Sequence, residues 1–180
     1  VAALALVNTL LATAAAALSW MFVEWAVKGK ASLLGTVSGV IAGLVAITPA
    51  AGLVGPLGGI VLGLVGGAVS FFFCTTVKNA FGYDDTADVF GVHGVAGIVG
   101  SIGTGVFVSA SLGGVGVENY DMATQVWHQI VAVIVAVVWC AVISALIFKV
   151  LDLTIGLRPA TDAEREGLDI TDHGERAYNM

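Results

Sequence analysis

The sequence predicts an all-α membrane protein. Three observations carry that prediction: a shortage of charge, its confinement to short segments, and apolar runs of helix-spanning length between them. Only 11% of the 180 residues are charged and 58% are hydrophobic, with a mean hydropathy of +0.97; soluble domains carry about 25% charge. No charged residue occurs from Ala31 to Val77. The stretches 1–23, 89–117 and 122–148 also lack charge, apart from His93 and His128. Runs of about 18 or more such residues are long enough to cross the hydrocarbon of a bilayer. A soluble globular enzyme is excluded. So is a nucleic-acid binder, since seven basic residues against 13 acidic ones make no basic surface.

Five spans are expected, over residues 2–26, 31–48, 57–77, 88–109 and 124–151. The uncharged stretch 31–77 is too long for one helix, because about 20 residues suffice to cross. Pro49 and Pro56 punctuate it, and Pro49-Ala50-Ala51-Gly52 supplies a turn. The basic residues test the count. Lys28 and Lys30 follow the first span and Lys78 the third, while Lys149, Arg158, Arg165 and Arg176 lie at or beyond the end of the fifth. With five spans all seven fall on one side, which the positive-inside rule makes cytoplasmic. The N-terminus of this segment then faces outward. Trp20, Trp25, Phe71-Phe72-Phe73 and Trp127 suit interfacial belts at the span ends. The chain opens on Val1 with no basic segment ahead of its first apolar run, unlike a signal peptide; a fragment, or a chain preceded by further helices, is expected.

The 24 glycines are about twice ordinary usage. Gly35, Gly39 and Gly43 repeat every four residues, as do Gly59, Gly63 and Gly67. Gly91, Gly94, Gly97, Gly100 and Gly103 repeat every three. Such stripes let helix backbones approach closely, and packing drives association in lipid. For the first two stripes a compact bundle is explanation enough. The third flanks His93, the one ionisable side chain expected well inside a span, and such a residue is a functional-site hypothesis by default. Gly91, Gly94 and Gly97 are expected to leave room beside its ring. A charged ring is costly in apolar surroundings, so a neutral imidazole, one nitrogen donating and one accepting, is expected. It could bind a small polar solute or relay a proton; the plain structural reading is a ring satisfied by a backbone carbonyl. Asp88 opens the span and is expected to cap free N–H groups there.

Other polar residues have ordinary readings. Glu24 and Lys28 form a favourable helical pair. Asn8, Thr9 and Thr48 either bond a neighbouring helix or line a pathway, and His128 is interfacial. Cys74 and Cys140 are packing residues, neither a disulfide nor a metal pair; no metal site, cofactor or catalytic residue is expected. The tail 152–180 holds seven acidic and three basic residues, a net of −4 out of −6. Thr161-Asp162-Ala163-Glu164 reads as a capping box, and Gly167 stops the short helix it begins. Leu157, Leu168, Ile170 and Tyr178 give the tail a means of docking, and it is too acidic for an anionic-lipid anchor.

These residues resemble the ammonium transporter (Amt) family, distant relatives of the Rh proteins. The resemblance runs through Asn8-Thr9, Ser19-Trp20 with Glu24-Trp25, and Ala42-Gly43-Leu44-Val45-Ala46-Ile47-Thr48-Pro49-Ala50-Ala51-Gly52. It continues through Asp88-Val89-Phe90-Gly91-Val92-His93-Gly94, Ser111-Leu112-Gly113-Gly114 and Gly156-Leu157-Arg158. It ends in Glu164-Arg165-Glu166-Gly167-Leu168-Asp169, His173-Gly174-Glu175 and Ala177-Tyr178. It implies the C-terminal part, about helices seven to eleven, of an eleven-helix protein. These five helices would be one half of an inverted-repeat channel bundle in the cell membrane, assembled as a homotrimer with one pore per subunit. His93 would be the second of two pore histidines, with Val89 beside it in the lumen, Thr48 facing the ammonium/ammonia path and Asp88 structural. The tail, with Gly156, Leu157, Arg158, Glu164, Arg165, Gly167, His173 and Tyr178, would be a regulatory segment responding to a PII-type signalling protein. Two other readings stand beside transport: an ammonium sensor signalling through the tail, and a purely structural bundle that makes no use of His93.

Overall fold

The computed structural model describes residues 1–176 and contains helices and loops without a sheet among them. Helix α1 runs Ala2–Lys28, α2 Leu33–Ile47 and α3 Pro56–Phe72. A π-helical turn, Phe73–Val77, carries α3 into the short α4, Lys78–Phe81. A second π turn, Phe90–Val95, leads into α5, Ala96–Phe107, and α6 covers Met122–Thr154. Among the described residues, four helical stretches are long and apolar enough to cross a membrane: Ala2–Lys28, Pro56–Phe81, Phe90–Phe107 and Met122–Thr154. The 15-residue α2 is as apolar but shorter, about 22 Å at the α-helical rise. The turn at Pro49 divides the long uncharged run into α2 and α3 as the prolines predicted. The chain forms two compact units, one of Val1–Ile134 and one from Val135 onward.

Packing in the first unit follows side-chain size. The buried residues of α1 are Asn8, Ala12, Ala15, Ala16, Trp20 and Glu24, a four-residue ridge of mostly small side chains, while Leu6, Leu10, Leu18 and Phe22 stay exposed. Glycines of α2 and α3 clasp that ridge from both sides. A Cβ at Gly43 would stand 2.7 Å from the Ala12 carbonyl oxygen, and one at Gly63 would fall 2.8 Å from the Ala12 carbonyl carbon and Cα. One turn on, Gly39 and Gly67 close on the Ala16 carbonyl, their Cβ positions 2.9 and 2.5 Å from its oxygen. Backbone lies directly on backbone, with large apolar side chains turned outward, the reverse of a soluble helix.

One interior feature was assigned elsewhere by the sequence. Trp20 and Phe71, expected in interfacial belts, are 4% and 3% exposed and meet edge to face at 5.6 Å; Trp25, Phe72 and Trp127 are exposed. The two rings pack in one buried cluster with Ala42, Ala46, Cys74, Val92 and Ala96. Asn8 is fully buried and donates to the Ala51 and Val54 carbonyls, 2.8 and 2.7 Å away, in the loop after α2. Glu24 is also buried. It pairs with Lys28 at 3.1 Å, as expected, and accepts the Ser32 N–H at 3.1 Å, fixing the entry to α2.

In the second unit α6 ends near Gly156, whose φ of 79° suits a glycine stop. Helix α7, Thr161–Glu166, is followed by α8, Leu168–Thr171. The capping box does not form. Ala160 is the N-cap, Thr161 is already helical, and Glu164 instead accepts from Arg158 Nε at 3.0 Å. Gly167, with φ 109°, ends α7 where expected.

Candidate functional site

The second π turn is built from a loop whose charges are all engaged. Gly82 stops α4 with φ 63°. Seven residues later the chain must start a helix whose first N–H groups lack intrahelical partners. Asp85 supplies them: its carboxylate accepts from Val89 N and Phe90 N at 2.8 and 2.9 Å. Asp88, which the sequence assigned to this cap, does something else. It adopts φ 53°, a left-handed conformation that aspartate reaches more readily than most residues, and its carboxylate meets Lys78 Nζ at 2.7 Å. Asp85 reaches the free N–H groups from across the turn, whereas Asp88, directly before them, faces sideways to α4. Lys78 also donates to the Asp85 carbonyl. Burial, with the Asp85 charge behind it, pushes the nearby Tyr83 phenol above the usual range.

His93 lies within the π turn. Gly91, Val92 and Val95 are buried beside it, while the His93 ring is exposed and no hydrogen bond reaches it among the described residues. The carbonyl partner of the plain structural reading is not found among the described residues. Val89, four residues earlier, is 54% exposed. Thr48 is exposed at the end of α2, its hydroxyl bonded to the Leu44 carbonyl at 2.7 Å. Helix α2 packs on α5 with Ala46 against Gly100, seven residues past His93. Thr48 is thus about 10 Å or more along the axis from His93, and one small solute cannot touch both at once.

The glycines near His93 differ. A Cβ at Gly91 would clash with the Cys74 sulfur, so that position is closed. Gly94 meets only the ring of its own Phe90, at 3.2 Å, and Gly97 only a Val45 methyl, at 3.8 Å. Of the three glycines expected to leave room beside the ring, Gly97 is uncrowded, Gly94 is exposed but faces Phe90, and Gly91 is closed. Between α3 and α5, Val61, Val65, Ile98, Val99, Ile102 and Phe107 line an apolar groove of about 290 Å³. No cluster of three or more His, Cys, Asp or Glu suited to a metal occurs among the described residues. Cys74 is buried and Cys140 exposed, both as free thiols.

In the tail, Arg158 and Glu164 pair. Gly156 and Gly167 have positive φ, Leu157 is 48% exposed, and Arg165 and His173 are exposed. Tyr178 lies outside the described residues. Sequence reasoning missed Cys74, Lys78 and Asp85 as neighbours of this turn. The available signal was one lysine facing two aspartates across a short loop.

The apolar helices and glycine-mediated packing define a multi-span α-helical membrane protein. Within that class, residues 1–178 match the Ammonium Transporter Family, and the chain belongs to it. It is 45% identical over 180 residues to an ammonium transporter of Bacillus subtilis (strain 168), covering 99% of this chain and 45% of that protein. It is 48% identical over 179 residues to an ammonium transporter of Aquifex aeolicus (strain VF5), covering 99% and 42%. The solved structure of a Sensor Amt Protein superposes with a TM-score of 0.86 at 28% identity, over 94% of this chain and 42% of that one. The chain thus spans less than half the length of these relatives. The family is one of transporters and not of enzymes.

Proposed function

We propose that the chain is the C-terminal part, about helices seven to eleven, of a protein that conducts ammonium or ammonia across the cell membrane. The observation that carries this reading is His93: an exposed, unpartnered imidazole on a π turn, in a stretch long and apolar enough to cross a membrane, with exposed Gly94 and uncrowded Gly97 beside it. π turns recur at functional sites, and intramembrane ionisable residues mark solute or proton pathways. Its unmet hydrogen-bonding capacity would be used by the solute and by a second histidine from the remaining helices. A bare cation at this depth is costly, by about 3 kcal/mol or more. Ammonium escapes that cost by giving up its proton; ammonia then crosses the apolar stretch while the imidazole pair passes the proton on. K⁺ has no proton to lose and is rejected. Val89 lines the passage beside His93, Thr48 stands further along it, and Asp88 holds the turn to α4.

Five spans, with α2 as the short one, put all the basic residues on the cytoplasmic side and the N-terminus of this segment outside. The protein works as a homotrimer, each subunit with its own pore, and the tail responds to a PII-type protein. The test is His93→Ala in the full-length protein, measured as ammonium flux and as ammonium-to-K⁺ selectivity per folded molecule. Flux or selectivity should change while the amount of folded protein does not. Unchanged values for both overturn the assigned role.

A second reading is an ammonium sensor, favoured by the likeness to the Sensor Amt Protein. Truncation after Leu151 separates the two. Lost signalling with intact flux supports the sensor; loss of PII-dependent inhibition alone supports a transporter with a regulatory tail.

A further inference from the structure

The two π turns pack against each other, and their contact lies directly behind His93. Cys74, in the first turn, is 9% exposed. Its sulfur occupies the space a Cβ at Gly91 would need, and its backbone N and Cα stand 3.2 and 3.5 Å from that position. Lys78, four residues past Cys74, grips Asp88, three residues before Gly91. Phe73 and Phe90 meet at 6.2 Å between ring centres. Gly91 and His93 are two residues apart on a helical turn, so they point to nearly opposite sides; one is buried and the other exposed. Any outward displacement at Gly91 therefore carries the imidazole outward toward the open face.

We infer that Cys74 and Gly91 are a positioning pair, the sulfur packed so close that only a glycine fits opposite it, and that this contact sets where the His93 ring stands in the passage. The inference rests on the pathway reading of His93. The sulfur is the one severe obstacle to a methyl at Gly91, and the Cys74 backbone close behind leaves the turn little room to yield, so with the sulfur present the methyl pushes the turn. Gly91→Ala with Cys74→Ala moves one heavy atom from one side of the contact to the other at nearly constant volume, the kind of exchange cores tolerate.

The experiment uses the full-length protein in vesicles and scores ammonium flux, ammonium-to-K⁺ selectivity and the pH profile of flux per folded molecule. Gly91→Ala should lower flux on the order of 10- to 100-fold, the scale of a misplacement of about 1 Å, and should alter selectivity or the pH profile. The double variant should return to within about threefold of the parent, and Cys74→Ala alone should conduct with a shifted pH profile. If Gly91→Ala does not fold, the double variant must still fold and conduct. A double variant that conducts no better than Gly91→Ala, or that fails to fold, overturns the inference. His93→Ala runs alongside. If it is silent, the pathway reading itself fails. If it changes selectivity while a folded Gly91→Ala does not, only the positioning pair fails.

Discussion

Gly59 and Gly63 are one turn apart on α3, in the same repeat, yet they should respond to alanine with opposite signs. A Cβ at Gly59 would meet nothing closer than Asn8 Oδ1 at 3.4 Å, an ordinary contact. A Cβ at Gly63 would stand 2.8 Å from the Ala12 carbonyl carbon and Cα. Carbon atoms rest at about 3.5–4.0 Å, so roughly 0.7 Å or more of separation must be created. Helix α1 cannot simply retreat, because Gly43 presses the same Ala12 carbonyl from α2. Overpacking of this kind costs about 1–3 kcal/mol, against up to about 1 kcal/mol returned by the better helix propensity of alanine. Gly63→Ala should destabilise by up to about 2 kcal/mol, whereas Gly59→Ala should gain roughly 0.5–1 kcal/mol. Equilibrium unfolding of the full-length protein in mixed micelles measures both. Equal stabilities of the two variants would refute the clasp of α1 between α2 and α3.

Asn8→Leu should destabilise by about 1–3 kcal/mol for each carbonyl, Ala51 and Val54, left without its donor; thermal unfolding in detergent checks it. Lys78 and Asp88 side chains are 24% and 31% exposed, so a Lys78→Met, Asp88→Asn double-mutant cycle should show coupling above the roughly 0.2–1 kcal/mol of open surface pairs. Coupling near zero would mean that the pair does not anchor the turn. Asp121 accepts the Thr124 N–H at 2.8 Å and caps α6, and the hydrogen bonds from Thr124 hold its carboxyl below the usual carboxylate range. A lowered folded-state value gives a contribution that is complete above the unfolded value and lost as pH falls through the folded one. Amide exchange at Thr124 should therefore quicken below about pH 4, and Asp121→Asn should remove that pH dependence.

What could be read from the sequence was whatever depends on composition and periodicity. Charge-free runs and Pro49 placed the helices to within a few residues, since a span needs only apolar length and a stop. His93 stood out because ionisable groups are rare at that depth. Features decided by packing were not legible. Gly59 and Gly63 look alike until α1 is laid against them, and Trp20 and Trp25 look equally interfacial until one is enclosed. Asp85 and Asp88 both precede the turn, and only the left-handed backbone at Asp88 shows which one caps it. π turns leave no mark in residue type, so Cys74 and Gly91 gave no hint of their contact.

The central claim is that the His93 imidazole meets a solute passage and a partner ring from the rest of the protein. The most direct measurement is a structure of the full-length protein in lipid, read for what lies against that ring. The account predicts a second histidine nitrogen at about 2.7–3.2 Å, with a narrow apolar channel beside Gly94 and Gly97. Acyl chains against the ring, or protein packed around it with no second imidazole in reach, would contradict it.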